Sequence, residues 1–266
     1  MIKTIQLSNG ITMPRIGLGV WKIDNSKVSQ VIKWALEAGY RHIDTAEAYM
    51  NEEGVGKGIR ESGIPRSEIF VTSKLMIQNF FWAEKSFKES LRKLDLDYID
   101  LFLLHRAFLG WKLAWKVLEK QYKEGKIKSI GVSNFGIKEL KEMKKMGEIL
   151  PMVNQVELSP FLNRQKLVDY CREEGIVVEA YSPLTRGKRL REAILIELAL
   201  KYKKSVAQIM IRWGLQKDLV VLPKSENKDH IESNFEVFDF EIDELDIKKL
   251  DGMDENFSTL PGWSKG

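Results

Sequence analysis

Apolar residues along this chain fall into two alternating patterns. Short, nearly continuous apolar runs recur as IGLGV (16–20), IDT (43–45), IFVTSKL (69–75), IDLFLLH (99–105), IKSIGVS (127–133), PMVNQVE (151–157), IVVEAYS (176–182) and LVVLPKS (219–225). Such runs predict strands buried on both faces, as parallel strands are. Between them SKVSQVIKWALEAG, AEKSFKESLRKL, GWKLAWKVLEKQYKEG, IKELKEMKKMG, NRQKLVDYCREEG and SVAQIMIRWGLQK carry apolar residues at helical spacing. The first of these helices is expected to start at a Ser26 cap and end before Gly39. Strand and helix alternate with no Pro/Gly/Ser-rich linker. This predicts a closed α/β barrel, a (β/α)8 TIM barrel over 1–266 as a single domain, rather than a doubly wound sheet. Ahead of it, TIQLSNGITM sets Asn9-Gly10 between two alternating runs. That predicts an N-terminal β-hairpin with a type I′ turn, plugging the N-terminal end of the barrel. From about Glu241, IDELDIKKLDGM predicts a short helix before a tail.

Composition changes this picture little. The 266 residues suit one barrel, and 42 basic against 38 acidic side chains leave a net charge of +4. No clustered basic footprint for nucleic acid is evident. No apolar run is long enough to cross a membrane, and MIKTIQLSNG has no apolar signal core. Cys171 stands alone, so no intrachain disulfide forms. These features lead us to expect a cytoplasmic protein. Cys171, within the helical pattern KLVDYCREEG, is expected to be a buried, unreactive residue.

Four polar residues carry the chemistry. Asp44 and Tyr49 follow the second strand run, Lys74 lies in the third and His105 ends the fourth. In a parallel barrel the C-terminal strand ends share one face, so these residues can meet. Phenols ionise near pH 10, and a neighbouring ammonium is expected to lower that value. Lys74 can supply the ammonium and Asp44 can hold it. A neutral His105 can donate an N–H to a carbonyl oxygen beside Tyr49. Taken singly, each residue has a plainer explanation: an Asp44–Lys74 ion pair, a packed tyrosine, a hydrogen-bonded histidine. Together they suit proton delivery to an oxygen that gains charge, as in carbonyl reduction. They form no metal ligand set, and no activated Ser or Cys nucleophile accompanies them. No GxGxxG follows a strand, so a Rossmann mode of nucleotide binding is not supported.

The runs GYRHIDTAEAYMNEEGVGKGI, VTSKL, GKIKSIGVSNF, NQVELSP, AYSPL and LPKS, in this order, resemble the aldo-keto reductase family. The likeness extends from IGLGVWK to NFEVFDFEID. The compact length is similar to that of the short members related to diketogluconate reductases and prostaglandin F synthases. The resemblance implies a (β/α)8 barrel and reduction of aldehydes and ketones with NADPH. It implies Tyr49 as proton donor, Lys74 and Asp44 as the groups that tune it, and His105 as the residue that orients the carbonyl. It also implies that Ser133, Asn134 and Gln155 hold the nicotinamide carboxamide and that Tyr181 stacks on its ring. Ser182 and Leu184 would contact the pyrophosphate, and Gly19, Val20 and Trp21 would line the other side. Lys224, Ser225, His230 and Asn234 fall at the adenosine end. Trp21, Tyr49, His105 and Arg106 fall at the substrate pocket.

Several positions depart from the family pattern. His230 stands where an arginine usually helps hold the 2′-phosphate of NADPH, and Glu226 lies beside it. A histidine has no bidentate fork and is only partly charged near neutrality. Preference for NADPH is therefore expected to weaken, with NADH also used, unless Lys224 and Lys228 suffice. Ser233 stands where the family often has Glu. Arg106 and Ala107 replace the usual pair after the histidine, and Arg106 either faces the pocket or turns to solvent. Phe80, Phe81 and Trp82 border an apolar pocket or pack over the next helix. Trp263 is a candidate cap. Two other readings stay open: a nucleotide-binding or regulatory relative with slow turnover, and a barrel with chemistry that needs no nicotinamide.

Overall fold

The computed structural model describes residues 3–146 and 148–263. A two-stranded antiparallel hairpin, β1 (Thr4–Gln6) and β2 (Thr12–Pro14), precedes eight parallel strands. These are β3 (Leu18–Gly19), β4 (His42–Asp44), β5 (Phe70–Leu75), β6 (Ile99–Leu104), β7 (Ile127–Ser133), β8 (Val153–Glu157), β9 (Val177–Tyr181) and β10 (Val220–Leu222). Their spatial order is their chain order. The sheet closes where Ile16 bridges Val221 in parallel and the Gly17 and Gly19 amides donate to the Val221 and Pro223 carbonyls, each at 3.0 Å. Each predicted strand run overlaps one of these strands; β4 starts one residue before its run, at His42. They are buried on both faces because helices cover the outside and side chains fill the inside.

The helices are α1 (Asn25–Glu37), α2 (Glu52–Glu61), α3 (Ala83–Leu94), α4 (Trp111–Lys123), α5 (Ile137–Met146), α6 (Gln165–Glu173), α7 (Ala193–Tyr202), α8 (Val206–Gln216), α9 (Lys228–Phe235) and α10 (Glu244–Asp251). The Ser26 cap is corrected: Asp24 caps α1 by accepting from the Ser26 amide, so Ser26 lies inside the first turn. The hairpin turn also differs from expectation. Gly10 donates to the Leu7 carbonyl and alone takes positive φ (+84°), whereas Asn9 does not, so the turn is not type I′. It is instead a longer connection of five residues, closed by the Gly10-to-Leu7 and Leu7-to-Ile11 bonds with Gly10 in the left-handed region. The hairpin does sit under the barrel's N-terminal end. Asn9 Nδ2 reaches the Lys128 carbonyl at 2.9 Å, at the start of β7.

Helices α2, α7 and α9 were not legible as helices. Glycine at positions 54, 56 and 58 costs about 1 kcal/mol each relative to alanine in a helix interior. Packing overrides that cost. A Cβ on Gly54 would lie 2.3 Å from the Asn25 carbonyl oxygen, one on Gly58 2.8 Å from that of Ser29, and one on Gly56 1.9 Å from that of Leu94. The three glycines thus let α2 press against α1 and α3. Gly56→Ala is expected to cost about 1–3 kcal/mol or more by forcing these backbones apart. Gly252→Ala, whose Cβ would meet its nearest neighbours at 3.4 Å, is expected to stay within about 0.5 kcal/mol. Denaturant unfolding of both variants checks the contrast.

Candidate active site

The polar interior of the barrel is built at the C-terminal ends of β4, β5 and β6. Lys74 lies near the C-terminal end of β5. Its fully buried Nζ donates to both carboxylate oxygens of Asp44 at 2.7 and 2.8 Å and to the Thr45 carbonyl at 2.8 Å. The same Nζ lies 3.3 Å from Tyr49 Oη. Tyr49 ends a 3-10 turn (Glu47–Tyr49). That turn is fixed because the Glu47 carboxylate accepts from the Met76 amide at 2.9 Å and from Ser86 Oγ at 2.5 Å. Asn51 ties the same loop to the end of β3, donating to the Val20 and Ile23 carbonyls. His105 follows β6, its ring edge-on to Tyr49 with centroids 5.9 Å apart. The four residues chosen from the sequence therefore share one face, within one network.

The electrostatics follow from burial. Desolvation and the nearby Lys74 ammonium pull the His105 imidazole down to about 3, so it is neutral at physiological pH and carries one N–H. Burial pulls Lys74 down, but Asp44 and Tyr49 outweigh it and hold the ammonium above its ordinary value. Burial pushes Asp44 up against the pull of Lys74 and Gln155. The two-oxygen contact at 2.7 and 2.8 Å is that of an ammonium–carboxylate pair. For Tyr49 the expected direction reverses. Burial raises the phenol above its usual value, and Lys74 only partly offsets this because Asp44 opposes it. Lys74 thus makes a buried phenolate less costly without making the free phenol acidic.

The remaining sequence candidates form the rim and wall. Ser133 Oγ donates to the Gln155 carbonyl at 2.9 Å. Asn134, in the left-handed region at φ 57°, donates to the His105 carbonyl at 3.2 Å and accepts from Tyr181 Oη at 2.9 Å. These bonds join the ends of β6, β7, β8 and β9. Gln155 points inward, its Nε2 on Asp44 Oδ2 at 2.8 Å. Ser182 and Arg186 both have positive φ, and the Arg186 guanidinium lies 4.1 Å from the Trp21 ring centroid. Lys224 is paired with Glu226 at 2.5 Å, His230 is exposed, and Asn234 is buried on α9. Gly19 lies against the β10 end, 3.6 Å from the Leu222 carbonyl if a Cβ is added, and Val20 is buried. Leu184 packs partly buried against the core.

These residues suit a nicotinamide nucleotide. Short hydroxyl and amide side chains (Ser133, Asn134) match a carboxamide, and the half-buried Tyr181 ring matches a flat heterocycle. A turn with left-handed residues beside Arg186 matches a pyrophosphate.

Arg106 is partly exposed and tied to residues near the C-terminus. It donates to the Gly262 carbonyl at 2.8 Å and lies over the Trp263 ring. Trp263 in turn stands edge-on to His105 at 5.9 Å. Arg106 therefore holds Gly262 and Trp263 beside His105. Phe80 is buried, whereas Phe81 and Trp82 are exposed. All three line an outer groove with residues of α3 and α4 that includes none of the four central residues. Cys171 is buried and its thiol is pushed up to about 11. Among the described residues no cluster of three His, Cys, Asp or Glu side chains could hold a metal.

Sequence reasoning missed Glu179, Glu157 and Glu47. Glu179 is fully buried in the middle of β9. Glu157, at the end of β8, accepts from Ser258 Oγ at 2.5 Å and the Thr259 amide at 2.7 Å, anchoring the tail. The available signal was a carboxylate inside an otherwise apolar strand run (IVVEAYS, PMVNQVE), which is costly unless partnered.

The structure is a closed parallel barrel with a buried Lys–Asp–Tyr–His cluster at its C-terminal face, where barrel enzymes place their active sites. The aldo/keto reductase family matches residues 15–255, and the chain belongs to that family. The glyoxal reductase of Bacillus subtilis (strain 168) is 46% identical over 257 residues, covering 95% of this chain and 93% of the relative. The 9,11-endoperoxide prostaglandin H2 reductase of Trypanosoma cruzi (strain CL Brener) is 44% identical, covering 95% and 92%. The crystal structure of a Bombyx mori aldo-keto reductase in complex with NADP superposes with a TM-score of 0.92 at 35% identity, covering 97% of this chain and 95% of that one. The chain is an oxidoreductase that reduces carbonyl groups with a nicotinamide cofactor, NADP(H) in this family. No helix among the described residues is long and apolar enough to cross a membrane.

Replacing Lys74 by Met strands a buried carboxylate and is expected to cost about 3–5 kcal/mol. Lys74→Met/Asp44→Leu should recover much of that. Chemical unfolding midpoints of the two variants against wild type test it.

Proposed function

We propose that this protein reduces small aldehydes of the glyoxal type, with Tyr49 delivering a proton to the carbonyl oxygen. The observation that carries this reading is the Lys74 ammonium, chelated by Asp44 and 3.3 Å from the Tyr49 hydroxyl. As the substrate oxygen gains charge, Tyr49 gives up its proton and the fixed ammonium beside it stabilises the phenolate. Neutral His105 donates its N–H to the same oxygen and orients the carbonyl. When bound, the nicotinamide supplies the hydride to the carbonyl carbon. Ser133, Asn134, Gln155 and Tyr181 would hold its ring end. Ser182 and Leu184 would hold the pyrophosphate, opposite Gly19, Val20 and Trp21, and Lys224, Ser225, His230 and Asn234 the adenosine end. Trp21 and Trp263 wall the pocket, which favours small substrates.

On this reading the chain works as one barrel domain in the cytoplasm, a setting that suits its lone buried thiol. NADPH is the preferred nucleotide, but the preference is blunted because Glu226 takes the Lys224 charge.

Oxidation of NADPH by glyoxal is the direct test. Tyr49→Phe is expected to lower kcat by about 100- to 10,000-fold. Undiminished turnover in that variant would remove Tyr49 from the chemistry, and no turnover in folded wild type would favour a nucleotide-binding role instead. Glu226→Gln is expected to lower KM for NADPH by about two- to fivefold, the scale of an exposed charge pair, and to leave NADH unaffected. Parallel KM measurements with the two nucleotides check this.

A further inference from the structure

Beneath the four central residues lies a carboxyl that the mechanism leaves unused. Glu179 points into the barrel from β9 and is fully buried. The two hydrogens of the Gln155 amide are shared between carboxyls, with Nε2 donating to Asp44 Oδ2 at 2.8 Å and to Glu179 Oε2 at 2.5 Å. The other Glu179 oxygen, Oε1, accepts no hydrogen bond. It faces His42 Nε2 at 3.6 Å, while that ring nitrogen contacts Thr72 Oγ1 at 3.0 Å. His42 and Asp44 come from β4 with Tyr49 just after it, Lys74 comes from β5, and Gln155 comes from β8. Burial and Lys74 keep His42 neutral, its imidazole pulled down to about 3. Lys74 is already committed to Asp44, Thr45 and Tyr49. Among the described residues no lysine or arginine forms an ion pair with Glu179. An ionised Glu179 would be a second buried carboxylate sharing one ammonium.

We propose that Glu179 is a positioning residue that must stay protonated for turnover, because its neutral form leaves the Lys74 ammonium to Asp44 and the nascent Tyr49 phenolate. Oε1 is the atom expected to carry the proton, because Oε2 already accepts from the Gln155 amide and the Oε1 hydroxyl can be directed at the neutral His42 ring, whose Nε2 lies 3.6 Å away. Burial, reinforced by the Asp44 charge, pushes the carboxyl up to about 8 against the pull of Gln155 and Lys74. When the proton leaves, a new negative charge faces Tyr49 and raises the phenol further. The phenol becomes a weaker acid for reduction, and its phenolate a scarcer base for alcohol oxidation. Both directions fall together, unlike the opposite pH trends that titration of Tyr49 alone would give.

This inference rests on Tyr49 as the proton donor, which Tyr49→Phe tests by itself at any pH. The test of Glu179 is the pH profile of kcat/KM between pH 6 and 9 for wild type and Glu179→Gln, an isostere that cannot ionise. Wild type is expected to lose activity across this range in reduction and, relative to the variant, in oxidation. The pH 9 to pH 6 activity ratio of Glu179→Gln is expected to exceed that of wild type at least fivefold. Superimposable profiles overturn the proposal. A second readout does not need turnover. The infrared carboxylic-acid carbonyl band should include a component at pH 6 that fades by pH 9.5 in wild type and is missing in Glu179→Gln. Wild type with no such band at pH 6 overturns the proposal even if the variant fails to fold.

Discussion

The Lys74 ammonium, buried with two carboxyls and a phenol in reach, is the constraint around which this barrel is arranged. A charge in that position is tolerable only if it is fully coordinated, because desolvation otherwise exceeds any attraction gained. Two oxygens of Asp44, the Thr45 carbonyl and the Tyr49 hydroxyl complete that coordination. Each comes from β4 or the turn after it, so β4 and β5 must keep their register for the charge to survive. Glu47 and Asn51 then pin the turn to the ends of β5 and β3. The stability of the interior and the placement of the reactive hydroxyl are therefore one requirement.

The same logic explains why the site is both rigid and reactive. His105 is neutral because burial and Lys74 act in the same direction, so a hydrogen-bond donor stands ready without a second charge. Tyr49 is not acidic at rest, because burial outweighs the ammonium. On the proposed reading, its proton becomes easier to give up only when an electron-rich oxygen appears beside it, which stabilises the transition state more than the ground state. Beyond this cluster, hydrogen bonds from His105 through Asn134 to Tyr181 carry the order around the rim. Arg106 and Glu157 secure residues 258–262 beside the site.

Much of this was legible in the residues, and the exceptions share a cause. The strand runs, six of the helices between them and the C-terminal helix were visible because burial on two faces or one leaves a periodic trace. Helix α2 was not, because its glycines serve close approach to α1 and α3, a property of neighbours rather than of the segment. Nor was α9, whose cap is the Asn227 side chain on the His230 amide within a polar loop. Asp44, Tyr49, Lys74 and His105 could be chosen because each is polar at the end of an apolar run. Glu179 lies inside its apolar run rather than at the end, and Glu157, although within NQVELSP, anchors the C-terminal segment through contacts no local pattern shows.

By itself the amino-acid sequence determined the architecture and which side chains could meet, since alternating buried strands and amphipathic helices admit few closed arrangements and a parallel barrel gathers its strand ends. It could not determine the protonation states, because those depend on desolvation and on distances of a few ångströms between residues far apart in the chain. Only the folded barrel decided that Tyr49 is held protonated at rest, that Arg106 ties to the Gly262 carbonyl and the Trp263 ring, and that Glu179 shares an amide with Asp44.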